Sequence, residues 1–101
     1  MWILQGALPL DSGPDAESFS FRLAPGAVKT VGRAPRADFI LDVALVSRLH
    51  CRLSAEDDRL EVVDLSSTNG TFVNDKRVER ALLGNGDRLR VGRVELTIGR
   101  A

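Results

Sequence analysis

The sequence contains one cysteine, Cys51, and one histidine, His50, among its 101 residues. A single cysteine excludes an internal disulfide bond, and this fits a reducing, intracellular environment. Because neighbouring residues on a strand point to opposite faces, His50 and Cys51 cannot bind one ion together. We therefore expect no zinc or other metal site within the chain.

The chain also lacks an excess of charge of either sign. Its 14 basic and 14 acidic residues cancel to a net charge of zero at pH 7. No long-range field then attracts the chain to nucleic acid or to an anionic membrane, so we expect neither as a partner. Only Lys29 and Lys76 are lysines, and arginine supplies the remaining positive charge. Arginine suits bidentate phosphate binding, although a general compositional bias explains its abundance equally well.

Long apolar runs are absent. No run approaches the length of a transmembrane helix, and the first ten residues lack a basic leader and a cleavage site. The length of the chain suits a single domain over residues 1–101. We expect an intracellular domain.

Short segments of alternating apolar and polar residues are present instead, recurring about every ten residues between turns rich in glycine, proline, asparagine and aspartate. Phe19, Phe21 and Leu23, for example, alternate with polar residues. This pattern predicts an all-β sandwich or barrel, with a loop over residues 9–15 and a turn over residues 82–87. The predicted strands cover residues 2–8, 19–23, 27–31, 39–41, 49–53, 60–65, 71–73, 77–78, 89–91 and 94–98.

Four short motifs fall near the ends of these predicted strands. They are Val31-Gly32-Arg33, Ser47-Arg48-Leu49-His50, Ser67-Thr68-Asn69-Gly70-Thr71 and Asn74. Together they supply guanidinium, hydroxyl and amide donors but no carboxylate. A phosphorylated threonine carries nearly two negative charges and three acceptor oxygens, so it requires such donors. The motifs therefore predict a site for a phosphate ester.

Four residues are the predicted phosphate-binding residues: Arg33, Ser47, Arg48 and Thr68. Arginine offers a fork of donors that stays charged, and serine and threonine offer compact hydroxyls. Each residue also has a structural interpretation. An isolated surface arginine is usually solvated, and a turn serine often satisfies the local backbone.

The order of the motifs resembles a forkhead-associated (FHA) domain. Gly32-Arg33 comes first, Ser47-x-x-His50 second, and Ser67 to Thr71 with Val73-Asn74 third; Gly86-Asp87 precedes a final hairpin. The resemblance covers about residues 28–99. It implies an FHA-type β-sandwich of about eleven strands, with the binding loops at one end.

The resemblance also implies a function. FHA domains are phosphothreonine-dependent peptide-recognition modules that mediate protein–protein interaction in signalling, without a cofactor. The implied partner is a Thr-phosphorylated protein or peptide, which is a substrate of a Ser/Thr kinase or the kinase itself. The compartment is the bacterial cytoplasm or the eukaryotic nucleus. Asn69 is implied to bind the peptide backbone, and His50 to hold Ser47 in place. The residues implied to support the loops are Gly32, His50, Gly70 and Asn74.

Two alternatives belong to other classes. A structural or self-association domain of the same fold would bind its partners without phosphate. A hydrolase would use Ser47 as nucleophile, His50 as base and Asp64 to orient the histidine. The G-x-S-x-G elbow and an oxyanion loop are missing from the sequence, so we expect no catalytic residues and no enzymatic activity.

Overall fold

In the computed structural model, which describes residues 1–8 and 17–101, the chain forms two packed β-sheets. The strands are β1 (Trp2–Leu8), β2 (Glu17–Leu23), β3 (Val28–Gly32), β4 (Phe39–Ile40), β5 (Cys51–Ala55), β6 (Leu60–Asp64), β7 (Thr71–Val73), β8 (Lys76–Val78), β9 (Arg80–Leu83), β10 (Arg88–Val91) and β11 (Val94–Arg100). These eleven strands confirm the predicted all-β sandwich. No helix long and apolar enough to cross a membrane occurs in the described residues.

The two sheets differ in size. The larger sheet has six strands in the order β2-β1-β11-β10-β7-β8, and the smaller has five in the order β4-β3-β5-β6-β9. All pairs are antiparallel except β3 with β4, which is parallel. The last hairpin, β10–β11, pairs Val91 with Val94, as the sequence pattern predicted.

The core lies between the sheets because each strand sends every second side chain inward. On β5 the buried residues are Cys51, Leu53 and Ala55, and the residues between them are half-buried. The large residues that are almost fully buried include Trp2, Leu4, Leu23, Leu53, Leu60, Leu89, Leu96 and Ile98. At one side of the sandwich, Phe21 of β2 stacks on Phe39 of β4 with ring centroids 4.3 Å apart.

Two sequence predictions need correction. The turn predicted over residues 82–87 begins too early, because Leu82 and Leu83 belong to β9, which pairs with β6. Ala81, Leu82 and Leu83 are consecutive apolar residues and Leu82 is 57% exposed, so the sequence of β9 does not alternate between apolar and polar residues. Its pairing with β6 is what makes it a strand. The strand predicted over residues 49–53 begins only at Cys51. The predicted loop over residues 9–15 lies outside the described residues.

Candidate functional site

Three connections meet at one end of the sandwich: those after β3, before β5 and after β6. The Arg33 N–H donates to the Ser47 carbonyl at 2.9 Å, and the Thr68 N–H donates to Ser47 Oγ at 3.0 Å. A Cβ on Gly32 would lie 2.0 Å from the Arg48 carbonyl oxygen, so only glycine allows the first two connections to approach so closely. Between the connections is an open cleft of about 710 Å³, lined by Arg33, Asp42, Val43, Ala44, Leu45, Val46, Ser47, Arg48, Thr68 and Asn69.

Arg33 is held by its own side chain. Its Nε donates to the Val46 carbonyl at 3.1 Å, which fixes the direction of the guanidinium. The two terminal nitrogens have no hydrogen-bond or ion-pair partner within the described part of the chain. Arg33 therefore presents an oriented pair of charged donors at the cleft, which is the geometry that bidentate phosphate binding requires.

The other three predicted phosphate-binding residues line the same cleft. Ser47 Oγ accepts the Thr68 N–H, so its own proton remains available for donation. The Thr68 hydroxyl and the exposed Arg48 guanidinium make no hydrogen bond or ion pair to other described residues. The cleft therefore collects two hydroxyls and two guanidinium groups, each with donors that have no partner in the described part of the chain.

Asn69 closes the cleft on the side of residues 42–46. Its Nδ2 donates to the Leu45 carbonyl at 3.0 Å, and its side-chain oxygen accepts no hydrogen bond from the described residues. Leu45 has a φ of 74°, in the left-handed region that residues other than glycine rarely adopt. Asn69 thus holds a strained segment in place and keeps one acceptor for a backbone N–H.

His50 is fully buried beneath the cleft. Its Nδ1 accepts the Ser47 N–H at 3.0 Å, so the proton of the neutral ring must sit on Nε2, which donates to the Gly70 carbonyl at 2.8 Å. The imidazole therefore connects the two loops that carry Ser47 and Asn69. Both nitrogens are engaged by the backbone, which leaves neither to take a proton from Ser47 Oγ in a hydrolase mechanism.

Asp64 is the centre of a second hydrogen-bond network, which the sequence analysis missed. Its Oδ1 accepts the Ser67 hydroxyl at 2.6 Å and the Thr71 hydroxyl at 2.7 Å, and its Oδ2 accepts the Ser67 N–H at 3.1 Å. Ser67 Oγ in turn accepts the Gly70 N–H at 3.0 Å. An aspartate three residues before a serine, at the start of a turn, is the signal that would have identified this network.

These contacts change the acidity of Asp64. Burial raises the pKa of its carboxyl, but the hydrogen bonds from Ser67 and Thr71 outweigh burial and hold the pKa below its usual value. The hydrolase alternative would have used Asp64 to orient His50. In the structure its carboxylate instead anchors the loop that carries Thr68 and Asn69.

Cys51 is buried in the core next to His50 in sequence. Burial and, to a smaller extent, the charge of Asp64 raise the pKa of its thiol to about 12. The thiol stays protonated at neutral pH and packs as a small apolar group.

Gly70 and Asn74 lie at opposite ends of β7. Gly70 has a φ of 92° and ends the loop that carries Asn69. Asn74 forms the turn between β7 and β8, where its side chain donates to Asp87 at 3.1 Å and accepts the Arg88 N–H at 3.0 Å. Asn74 therefore holds the β7–β8 turn and does not line the cleft.

Residues 29–92 match the profile of the FHA domain. Over 89 residues the chain is 39% identical to the glycogen accumulation regulator GarA of Mycobacterium tuberculosis, covering 88% of this chain and 54% of GarA. Over 91 residues it is 36% identical to the oxoglutarate dehydrogenase inhibitor of Corynebacterium diphtheriae, covering 90% of this chain and 62% of that protein. The chain thus spans between half and two thirds of these two relatives.

Solved structures of FHA domains are similar to this chain over nearly its whole length. The FhaA FHA domain complexed with the intracellular domain of Rv3910 has a TM-score of 0.82 and 32% identity, over 97% of this chain and 99% of that one. An FHA domain from an analysis of phosphothreonine-dependent FHA domain interactions has a TM-score of 0.78 and 27% identity, over 100% of this chain and 98% of that one. The cleft, the fold and the profile match lead to one conclusion: this chain belongs to the FHA domain family.

Proposed function

We propose that this FHA domain binds proteins through a phosphorylated threonine, whose phosphate is held by Arg33, Ser47, Arg48 and Thr68. One observation carries the proposal. These residues line one cleft with two guanidinium groups and two hydroxyls. Apart from Arg33 Nε, which donates to Val46, their donors have no partner in the rest of the described chain. A phosphate dianion supplies acceptors alone, so it matches this set.

The energies fit a phosphorylation-dependent interaction. A charge-assisted hydrogen bond contributes about 1.5–3 kcal/mol when it is well formed. Two such contacts, at about 3 kcal/mol together, correspond to more than about a hundredfold in affinity. Phosphorylation of one threonine would then decide whether a partner binds at a useful concentration.

The peptide on either side of the phosphothreonine needs a separate contact. Asn69 keeps its side-chain oxygen free while its Nδ2 holds the Leu45 carbonyl. The free oxygen can accept a backbone N–H of the peptide, and such a contact tolerates any side chain. His50 and Asp64 act through the loops: the first engages Ser47 and Gly70, and the second engages Ser67 and Thr71.

The partner is a Thr-phosphorylated protein, either a substrate of a Ser/Thr kinase or the kinase itself. The two curated relatives are a regulator and an inhibitor, which suits control by binding and not by catalysis. Their bacterial sources favour the bacterial cytoplasm over the eukaryotic nucleus for this chain. Nucleic acid and membrane surfaces stay outside the proposed partners, since the net charge is zero.

The competing function is a phosphate-independent structural or self-association domain of the same fold. Such a domain would have no use for four uncommitted donors in one cleft. It would bind its partner equally well with and without the phosphate.

The test is a set of three otherwise identical peptides that carry phosphothreonine, phosphoserine or threonine. We expect the phosphothreonine peptide to bind at least about a hundredfold more tightly than the threonine peptide. Phosphoserine should bind about fivefold more weakly than phosphothreonine, because it lacks a methyl group whose burial contributes about 1 kcal/mol. Equal affinity for the phosphorylated and plain threonine peptides would overturn the proposal.

A further inference from the structure

A strip of two arginines and one phenylalanine crosses the outer face of the six-stranded sheet. Phe72 of β7 is the register partner of Arg77 on β8 and of Arg90 on β10. The three residues therefore form one row across adjacent strands, which lie about 4.8 Å apart. We call Arg77, Phe72 and Arg90 the cation–aromatic strip.

The strip is packed in place. The Arg90 guanidinium carbon lies 4.3 Å from the centroid of the Phe72 ring, a cation–π contact. Arg77 lies against Gly70: a Cβ added there would be 2.8 Å from Arg77 Nε and 3.2 Å from the Phe72 ring. The strip thus begins directly behind Gly70, one residue after Asn69 of the phosphate cleft.

Neither arginine of the strip makes an ion pair within the described chain. Arg88 and Arg80 pair with Asp75 and Glu61, at 3.4 and 3.6 Å. Across residues 1–8 and 17–101, by contrast, no carboxylate lies within ion-pairing distance of Arg77 or Arg90. The Nε of Arg90 is buried without a hydrogen-bond partner in the described residues, although Glu95 is its register partner on β11.

We propose that the cation–aromatic strip binds aspartate or glutamate side chains of the same protein partner whose phosphothreonine occupies the cleft. This inference rests on the proposed function. The strip supplies two positioned cations, and the ring between them packs against the methylene groups of an acidic side chain. Carboxylates of a protein complement this row because their charge is opposite to that of the two arginines.

The distance is short enough for one continuous segment. An extended peptide advances about 3.3–3.6 Å per residue. From a phosphothreonine held beside Thr68 and Asn69, roughly three to five residues reach from Gly70 across β7 to β10. The strip lies on one side of the cleft, so acidic residues should help binding on one side of the phosphothreonine and not on the other.

The experiment uses three phosphothreonine peptides of equal length in a neutral alanine–serine background. The first carries four glutamines on each side of the phosphothreonine and is also made without the phosphate. The second has four glutamates in place of the glutamines before the phosphothreonine, and the third has them in place of the glutamines after it. Dissociation constants are measured for the wild-type domain and for the double variant Arg77→Gln/Arg90→Gln. The matched control is Arg22→Gln/Arg52→Gln, which removes the same charge. Arg22 lies on β2, three strand positions from β10 and five from β8, and Arg52 lies on β5 of the other sheet.

We expect one acidic peptide to bind the wild-type domain at least about fivefold more tightly than the glutamine peptide, with a smaller gain at high salt. The double variant should lose this gain and bind the glutamine peptide with unchanged affinity, and the control should keep the gain. Neither acidic peptide gaining affinity, or a gain that survives in the double variant, would overturn the inference. So would equal losses in the double variant and the control.

Two further outcomes distinguish this inference from the proposed function and from nucleic-acid binding. If the glutamine phosphopeptide binds no better than its unphosphorylated form, the proposed function fails and the inference fails with it. Arginine beside an aromatic ring also suits stacked bases. The inference would also be overturned if a single-stranded dT oligonucleotide competed with the acidic peptide only when Arg77 and Arg90 are intact. That result would show that the strip binds nucleic acid.

Discussion

The exposed rim of the phosphate cleft and the buried support beneath it use polar residues in opposite ways. The rim consists of Arg33, Ser47, Arg48 and Thr68, and the support consists of His50, Asp64, Ser67 and Thr71. In the rim, every side chain keeps donor groups that have no partner among residues 1–8 and 17–101. In the support, His50, Ser67 and Thr71 are buried and every named side chain is hydrogen-bonded. Recognition and rigidity are thus assigned to separate residues.

The physical reason lies in the cost of burial. A buried polar group without a partner destabilises the fold by about 1–3 kcal/mol, so the support must be saturated. Donors in the rim are solvated by water, so the absence of a protein partner costs the fold little free energy. A phosphate replaces that water when the ligand binds. Ser47 joins the two regions, because its N–H contacts His50 while its hydroxyl faces the cleft.

Asp64→Ala should give the largest change in stability. The substitution removes the acceptor of three hydrogen bonds, two from Ser67 and one from Thr71, and the free energy of unfolding should fall by about 2–3 kcal/mol. Urea unfolding followed by the fluorescence of Trp2 measures this. Asp64→Asn keeps an acceptor for both hydroxyls and should lose about half as much. A loss no greater than that of Asp58→Ala, in the exposed β5–β6 turn, would contradict the role of the support.

Ser47→Ala should act on binding more than on stability. Loss of the hydroxyl removes a phosphate donor, and we expect about tenfold weaker binding of the phosphothreonine peptide, or about 1.4 kcal/mol. The Thr68 N–H loses its acceptor but lies in an exposed loop, so the free energy of unfolding should fall by less than about 1 kcal/mol. Ser47→Thr keeps a hydroxyl and is the matched control. Unchanged affinity in Ser47→Ala would remove this residue from the rim.

Acid should weaken the support by a smaller amount. The pKa of Asp64 is lower in the folded chain than its usual value, so the carboxylate stabilises the fold above the unfolded pKa, about 3.9. That contribution disappears as the pH falls from about 4 through the folded pKa. The stability difference between wild type and Asp64→Asn should therefore shrink between pH 5 and pH 2.5. A difference that stays constant over this range would show that the charge of Asp64 contributes nothing.

The sequence predicted most strands because their apolar residues alternate and glycine or asparagine marks the turns. It did not predict β9, since Leu82 points to solvent and only pairing with β6 makes the segment a strand. When the conformation of a segment is set by pairing with a strand distant in sequence, local periodicity does not predict it.

The site divides in the same way. The sequence motifs brought together the rim residues, whose side-chain chemistry identifies them without a structure. The strained Leu45 escaped prediction because its place depends on a contact from Asn69 in another loop. The Asp64 network is local, but nothing in the sequence shows that the carboxylate bonds Ser67 and Thr71 and does not face solvent. The cation–aromatic strip was equally hidden, since Phe72, Arg77 and Arg90 come together only through the registers of three strands.

The most direct test is a double-mutant cycle between Arg33 and the phosphate of the ligand. It combines the dissociation constants of wild type and Arg33→Ala for a phosphothreonine peptide and for its unphosphorylated form. We predict that Arg33→Ala weakens the phosphorylated peptide at least about tenfold and leaves the plain peptide unchanged, a coupling of at least about 1.4 kcal/mol. Arg36→Ala, on the same β3–β4 connection but outside the cleft lining, should show no coupling. A coupling of zero for Arg33 would contradict the assignment of the cleft to phosphothreonine.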